Sequence, residues 1–171
     1  MKKGIILILL ALTNCLIYAQ SQYEILKDHD GSKILKGIIS RELITADSAF
    51  RWYSQNAKPY PPGKESAIKF GKHKDSIQLV VFLGTWCEDS HVIIPRLFPF
   101  LDASGFSKDH ITLIGVDRNK KTISHLTDAF NVINVPTVIV MKEGRELGRV
   151  VEHGRYGMIE NELAEIVDSK K

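Results

Sequence analysis

Apolar residues fall in short runs and helical stripes that alternate along this chain. Ile77–Leu83 (IQLVVFL) and Ile111–Val116 (ITLIGV) are brief and rich in β-branched residues, the pattern of strands buried on both faces. Lys64–Phe70 reads as a helix ahead of the first run, and Glu88 to about Ala103 as a helix between the two, with Pro95 and Pro99 expected to interrupt it. Thr122 is placed to cap a helix that carries Ile123, Leu126 and Phe130 on one face. Thr137–Met141 and Glu146–Glu152 flank Lys142-Glu143-Gly144, which predicts an antiparallel hairpin. Ile159, Leu163, Ile166 and Val167 mark an amphipathic C-terminal helix. A helix between the first two strands implies parallel pairing through a right-handed crossover, and the hairpin then adds antiparallel strands. The predicted fold class is α/β, a mixed central sheet flanked by helices.

Upstream the pattern is looser. Lys33–Ser40 (KILKGIIS) reads as a strand, and Thr45 is placed to cap a short helix from about Ala46 to Gln55. Lys58-Pro59-Tyr60-Pro61-Pro62-Gly63 breaks any regular element. Residues 20–63 are therefore expected as an N-terminal extension packing on a domain that spans 64–171.

The first 19 residues read separately, as Lys2 and Lys3, an apolar run from Gly4 to Tyr18, and the small Ala19. This is the layout of a secretory signal peptide. The run falls short of the ~20 residues that span a bilayer, so no stable membrane insertion is expected after cleavage. The expected location is the bacterial periplasm. An alternative is a lipoprotein anchored at Cys15, because Leu12-Thr13-Asn14-Cys15 resembles a lipoprotein cleavage box, though Asn14 is a poor residue for it and the apolar run continues past Cys15.

Composition and charge narrow the function classes. The chain is 44% hydrophobic and 25% charged, which suits a folded domain. Removing residues 1–19 takes away two lysines and no acid, so the net charge of +3 becomes +1. No basic stripe or nucleic-acid module stands out. Cleavage also leaves Cys87 without a second cysteine, so it is either buried and inert or reacts with another molecule.

The informative segment is Val80-Val81-Phe82-Leu83-Gly84-Thr85-Trp86-Cys87-Glu88-Asp89-Ser90-His91. A buried strand delivers the chain to the end of a sheet, a turn exposes Trp86 and Cys87, and a helix starts at once. A thiol there is expected to be exposed and to feel unpaired N–H groups and the positive end of the helix dipole, which favour thiolate.

These residues resemble the thioredoxin superfamily. Trp86-Cys87-x-x-Ser90 stands where the family has W-C-x-x-C, and Pro95 matches the proline that kinks the same helix. Val116-Asp117 resembles the end of the next strand, Val135-Pro136-Thr137 the cis-proline segment, Gly144 the hairpin turn and Gly154 the glycine after the last strand. The resemblance covers about residues 64–170 and implies a thioredoxin-like fold. It also implies that the backbone of Val135, before Pro136, pairs with an extended substrate segment beside the thiol, with Trp86 as an apolar rim.

Two departures matter. Ser90 replaces the family's second cysteine, so Cys87 can attack a disulfide but needs an outside thiol to release it, while the Ser90 hydroxyl is a candidate hydrogen-bond donor to the thiolate. Val81 stands where the family carries a buried aspartate that serves the resolving thiol, and the two changes fit one another. Glu88 and Asp89 either tune the thiol or simply satisfy the helix N-terminus, and His91, four residues after Cys87, is either a tuning imidazole or an ordinary helix residue. Cys87, Asp89 and His91 make a poor metal set, with His110, His125 and His153 scattered, and no cofactor is implied.

The expected function is thiol–disulfide exchange in an exported compartment. Cys87 would be the nucleophile, client proteins with disulfides or thiols its partners, and an external thiol its reductant. The alternative is a redox-inactive binding or chaperone-like module that keeps the fold and the ledge.

Overall fold

The computed structural model describes residues 22–57 and 61–169. The expected leader, residues 1–19 with Cys15, lies outside them, as do residues 58–60 of the breaker.

The N-terminal segment supplies β1 (Tyr23–Lys27) and β2 (Lys33–Ile39), then two short helices, α1 (Arg41–Thr45) and α2 (Trp52–Ala57), with a single 3-10 turn at Ser48–Phe50 between them. After the breaker come α3 (Lys64–Gly71), β3 (Gln78–Leu83), α4 (Glu88–Ser104) and β4 (Ile111–Gly115). A 3-10 turn at Ile123–His125 leads into α5 (Leu126–Ala129), followed by β5 (Thr137–Lys142), β6 (Arg145–Val151) and α6 (Ile159–Asp168). The strands of the described residues form one sheet in the order β1-β2-β4-β3-β5-β6. In it β3 and β4 run parallel, joined through α4, and the other neighbours are antiparallel. The mixed sheet flanked by helices is thus present, and the N-terminal segment adds two strands to it.

Both faces of the central strands are covered, which explains their unbroken apolar runs. Val81 and Leu83 of β3, Leu113 of β4 and Val138 and Val140 of β5 face a large core with α4 and α6. Phe82, Ile114 and Ile139 face a smaller cluster on the other side, where Val132 and Val135 close over them. Gly105, with φ of 68°, ends α4 in the left-handed conformation and donates its N–H to Asp102 and Leu101 carbonyls.

Several local expectations fail for identifiable reasons. Thr45 is the last residue of α1 rather than a cap; Ser40 and Asp47 do the capping, accepting from Leu43 N–H and Ala49 N–H. Thr122 makes no capping bond, and Ser124 and His125, with φ of 54° and 52°, break the helix expected there into a 3-10 turn and a short α5. Pro95 and Pro99 do not interrupt α4, which runs from Glu88 to Ser104. Pro95 has no N–H for the His91 carbonyl four residues back. The Asn56 side-chain amide donates to that carbonyl instead, at 2.9 Å, so α2 supplies the bond that the proline removes.

Candidate functional site

Leu83 ends β3 beside Gly115 of β4, and the chain leaves the sheet at Gly84. Cys87 N–H donates to the Gly84 carbonyl at 2.9 Å and closes the turn. Cys87 is the N-cap of α4, with extended backbone (φ −92°, ψ 124°) and a carbonyl that accepts the first helical bond from His91 N–H. The sulfur therefore sits at the end of the helix where N–H groups lack intrahelical partners.

The thiol donates to the Val135 carbonyl at 3.3 Å, and the Val135–Pro136 peptide is cis. Trp86, Val135 and Pro136 thus meet Cys87 at one end of the sheet. Cys87 is half-buried against the smaller cluster, not free in solvent as the sequence suggested, because Val135 closes over one side of it.

Ser90 is fully buried, and its hydroxyl accepts from Gly84 N–H at 3.2 Å. That bond ties the helix to the strand end. His91 is turned toward the N-terminal segment. It stacks on Trp52 with ring centroids 4.3 Å apart, and its Nε2 lies 2.7 Å from the Thr85 carbonyl oxygen. A carbonyl only accepts, so Nε2 carries a proton and donates. Of the first-turn acids, Glu88 is exposed, while Asp89 pairs with His153 at 2.9 Å. That pair joins α4 to the loop after β6, a proximity no local spacing announces.

The residues that sequence reasoning missed come mostly from the N-terminal segment. Thr85 is buried, and its hydroxyl accepts from Leu35 N–H at 3.1 Å and donates to the Lys33 carbonyl at 3.4 Å. Trp86 Nε1 donates to the Val116 carbonyl at 3.0 Å. Arg118 lies over the Trp86 ring, 5.0 Å from its centroid. Asp28, in the β1–β2 turn, grips that guanidinium through Nε (3.0 and 2.9 Å) and NH2 (2.7 Å). Beside it, Lys36 of β2 pairs with Asp117 at 3.0 Å. The turn that carries the thiol is thus bolted to β2 and its hairpin.

These clamps fix a pH response. The hydrogen bonds from Arg118 and then His29 N–H hold the Asp28 carboxyl below its ordinary value. For Asp117, burial raises the carboxyl, but Lys121 N–H and the Lys36 ammonium lower it more. Groups depressed in the fold contribute stability that is present above the unfolded value of about 4 and lost as pH falls through the folded value. Wild type is therefore expected to be more stable than Asp28→Asn at pH 7, with the gap in urea midpoints closing as pH falls from about 4 toward 2. A gap that stays constant over that range would show that the clamp contributes nothing through its charge.

Among the described residues, no group of three or more His, Cys, Asp or Glu is placed to hold a metal ion, and no helix is long and apolar enough to cross a membrane.

A half-buried thiol at the head of a helix, facing an X-Pro loop at the end of a mixed sheet, defines a thioredoxin-fold protein. Sequence comparison agrees. The chain is 35% identical over 97 residues to thioredoxin of Staphylococcus aureus, which covers 57% of this chain and 85% of that protein. It is 28% identical over 93 residues to thioredoxin of Alicyclobacillus acidocaldarius, 54% of this chain and 84% of the relative. A solved structure of a protein of unknown function from Pseudomonas aeruginosa superposes with a TM-score of 0.49 at 17% identity, over 71% of this chain and 82% of that one. No family model matches. The chain belongs to the thioredoxin superfamily.

Proposed function

We propose that this chain is an exported, monothiol thiol–disulfide exchange protein that acts through Cys87. Thiol–disulfide redox chemistry is the function that membership of the superfamily carries; the monothiol route and the location go beyond it. The single observation that carries the reading is the Cys87 sulfur at the N-cap of α4, 3.3 Å from the Val135 carbonyl of the Pro136 loop. The Cys87 thiolate attacks one sulfur of a client disulfide. The client S–S bond breaks, the second client sulfur leaves as a thiolate and takes a proton, and a Cys87–client disulfide forms. With Ser90 in place of a second cysteine, an external thiol attacks the client sulfur of that bond. Cys87 returns as a thiolate, and the client sulfur passes into a new disulfide. The backbone of Val135 pairs with the client segment in extended form, and Trp86 supplies the apolar rim. Residues 1–19 direct the chain to the periplasm and are removed there, the alternative being a lipid anchor at Cys15.

A second reading, a binding module without turnover, is favoured by the packing of Ser90 and Val81, both fully buried. One experiment separates the two. Expressed in a periplasm and quenched with acid, the wild-type chain is expected to carry client proteins in adducts that dithiothreitol releases, and Cys87→Ala none. A wild-type chain with no such adducts sinks the exchange reading. A Cys87→Ala chain that still retains the same clients supports the binding module.

A further inference from the structure

We propose that Arg118 is a positioning residue of the Cys87 site: pinned by Asp28, its guanidinium clamps the Trp86 ring beside the thiol and fixes a positive charge on the rim. The inference rests on Cys87 being the reactive thiol, and goes beyond it by assigning a role to a residue outside the W-C-x-x-S segment and to the N-terminal hairpin that holds it.

The geometry is specific. Arg118 follows β4 on the loop that also supplies the Val116 carbonyl to Trp86 Nε1. One face of the indole is covered by the guanidinium, at 5.0 Å from the ring centroid, while the indole N–H is tied to the backbone at 3.0 Å. These two restraints leave the ring adjacent to Cys87 little freedom to swing. The Asp28 side chain is 2% exposed beneath the guanidinium, whereas Arg118 itself remains 51% exposed. Asp28 takes Nε and NH2, so the bidentate grip sets the plane of the guanidinium and leaves NH1 outside it. Lysine cannot reproduce that fork.

Other charged groups also stand on the elements around the thiol. On α4, Glu88 is exposed and Asp89 is taken by His153. His91 is held on the Thr85 carbonyl. On the loop after β4, Asp117 is taken by Lys36, and Lys120 donates to the Asn134 side chain at 3.0 Å. Asp28 is the main group that raises the Arg118 guanidinium above its ordinary value, through its hydrogen bonds and then its charge. Its place over the ring of Trp86, the residue before Cys87, puts that charge at the rim of the thiol site.

Two alkylating agents test this on the full chain without any client. Iodoacetate is an anion and iodoacetamide is neutral, and both consume the same Cys87 thiolate. The ratio of their rate constants cancels the thiolate fraction and reports the charge at the rim. Arg118→Gln is expected to lower the iodoacetate-to-iodoacetamide ratio roughly threefold at low ionic strength, with the difference shrinking in ~0.5 M salt. Asp28→Asn, which removes an anion and keeps the cation, and Arg118→Lys, which keeps the charge without the fork, are expected to leave the ratio closer to wild type than Arg118→Gln does. Ratios equal to wild type in all three variants, even with lowered thermal midpoints, would mean that Arg118 only braces the hairpin, and would overturn the proposal. A native Cys87 that neither agent reaches would overturn it too. If the ratio shifts as expected while no client adducts form, the exchange function fails and the role of Arg118 stands.

Discussion

Gly115→Ala is expected to lower the stability of the fold by about 3 kcal/mol or more and to loosen β1 and β2 from the sheet. The added Cβ would overlap the Leu35 carbonyl oxygen and lie 2.9 Å from its carbon. Both atoms are backbone, so no side-chain rotation relieves the contact. Gly115 pairs with Gly37 across β2 and β4, and a Cβ at Gly37 would in turn overlap the Gln22 carbonyl oxygen and sit 2.8 Å from Tyr23 Cα. The strands approach closely here because neither partner carries a side chain. Prising β2 away would also remove the Leu35 N–H bond to Thr85 and the Lys36–Asp117 pair, which hold the turn under Cys87. For a domain of this size the loss corresponds to a melting point lower by roughly 10 °C. Gly144→Ala is the control. It has φ of 74° but nothing within 4 Å of a Cβ, so only backbone strain of about 1–2 kcal/mol is expected. Urea unfolding of the two variants checks the contrast, and equal losses would show that the close approach at Gly115 relaxes.

What is legible in the sequence is whatever one face of one element reveals. Val80–Leu83 and Ile111–Ile114 are apolar at most positions because helices and loops cover both faces of the sheet. The strand end, the turn and the helix start around Trp86 and Cys87 follow from that same local pattern. Strand β1 escapes it because Tyr23–Lys27 is an edge strand with three exposed residues, including Ile25, so its pattern carries no alternation. The continuity of α4 escapes it because the cause lies elsewhere: Asn56 answers the carbonyl freed by Pro95. The electrostatic frame of the site is invisible for the same reason. Asp28 and Arg118 stand 90 positions apart, and Leu35 and Thr85 stand 50 apart. Neither pair is implied by any spacing, and it is the antiparallel docking of β2 on β4 that brings them together. A signal does exist in Gly37 and Gly115, two glycines inside apolar runs, which mark a close approach of backbones.

Ser90→Cys is expected to speed the reduction of insulin in dithiothreitol, because the thiol introduced at position 90 can attack a mixed disulfide on Cys87 from within the same helix turn. Without an external thiol, wild type is expected to consume about one disulfide per chain, and with dithiothreitol, which releases the adduct, to turn over at a rate little above the uncatalysed one. Two features of the structure hold the variant back. Ser90 is fully buried, and burial keeps a thiol protonated, which slows its attack. Its hydroxyl also satisfies Gly84 N–H, and sulfur accepts that bond more weakly, at a cost of about 1 kcal/mol. An acid in β3 would supply the missing proton acceptor. Val81 is the position, fully buried between Leu113 and Val138 and packed in the large apolar core. Val81→Asp alone is therefore expected to cost about 4 kcal/mol, the penalty of a buried carboxyl without partners, and to leave insulin turnover unchanged. In the double variant the stability loss remains, but turnover rises above that of Ser90→Cys by roughly tenfold, since base catalysis of this kind typically contributes about 10²–10⁴-fold when geometry is ideal. Full turnover from Ser90→Cys alone would show that the thiol needs no acid here, and that valine at position 81 reflects packing rather than the loss of a second cysteine.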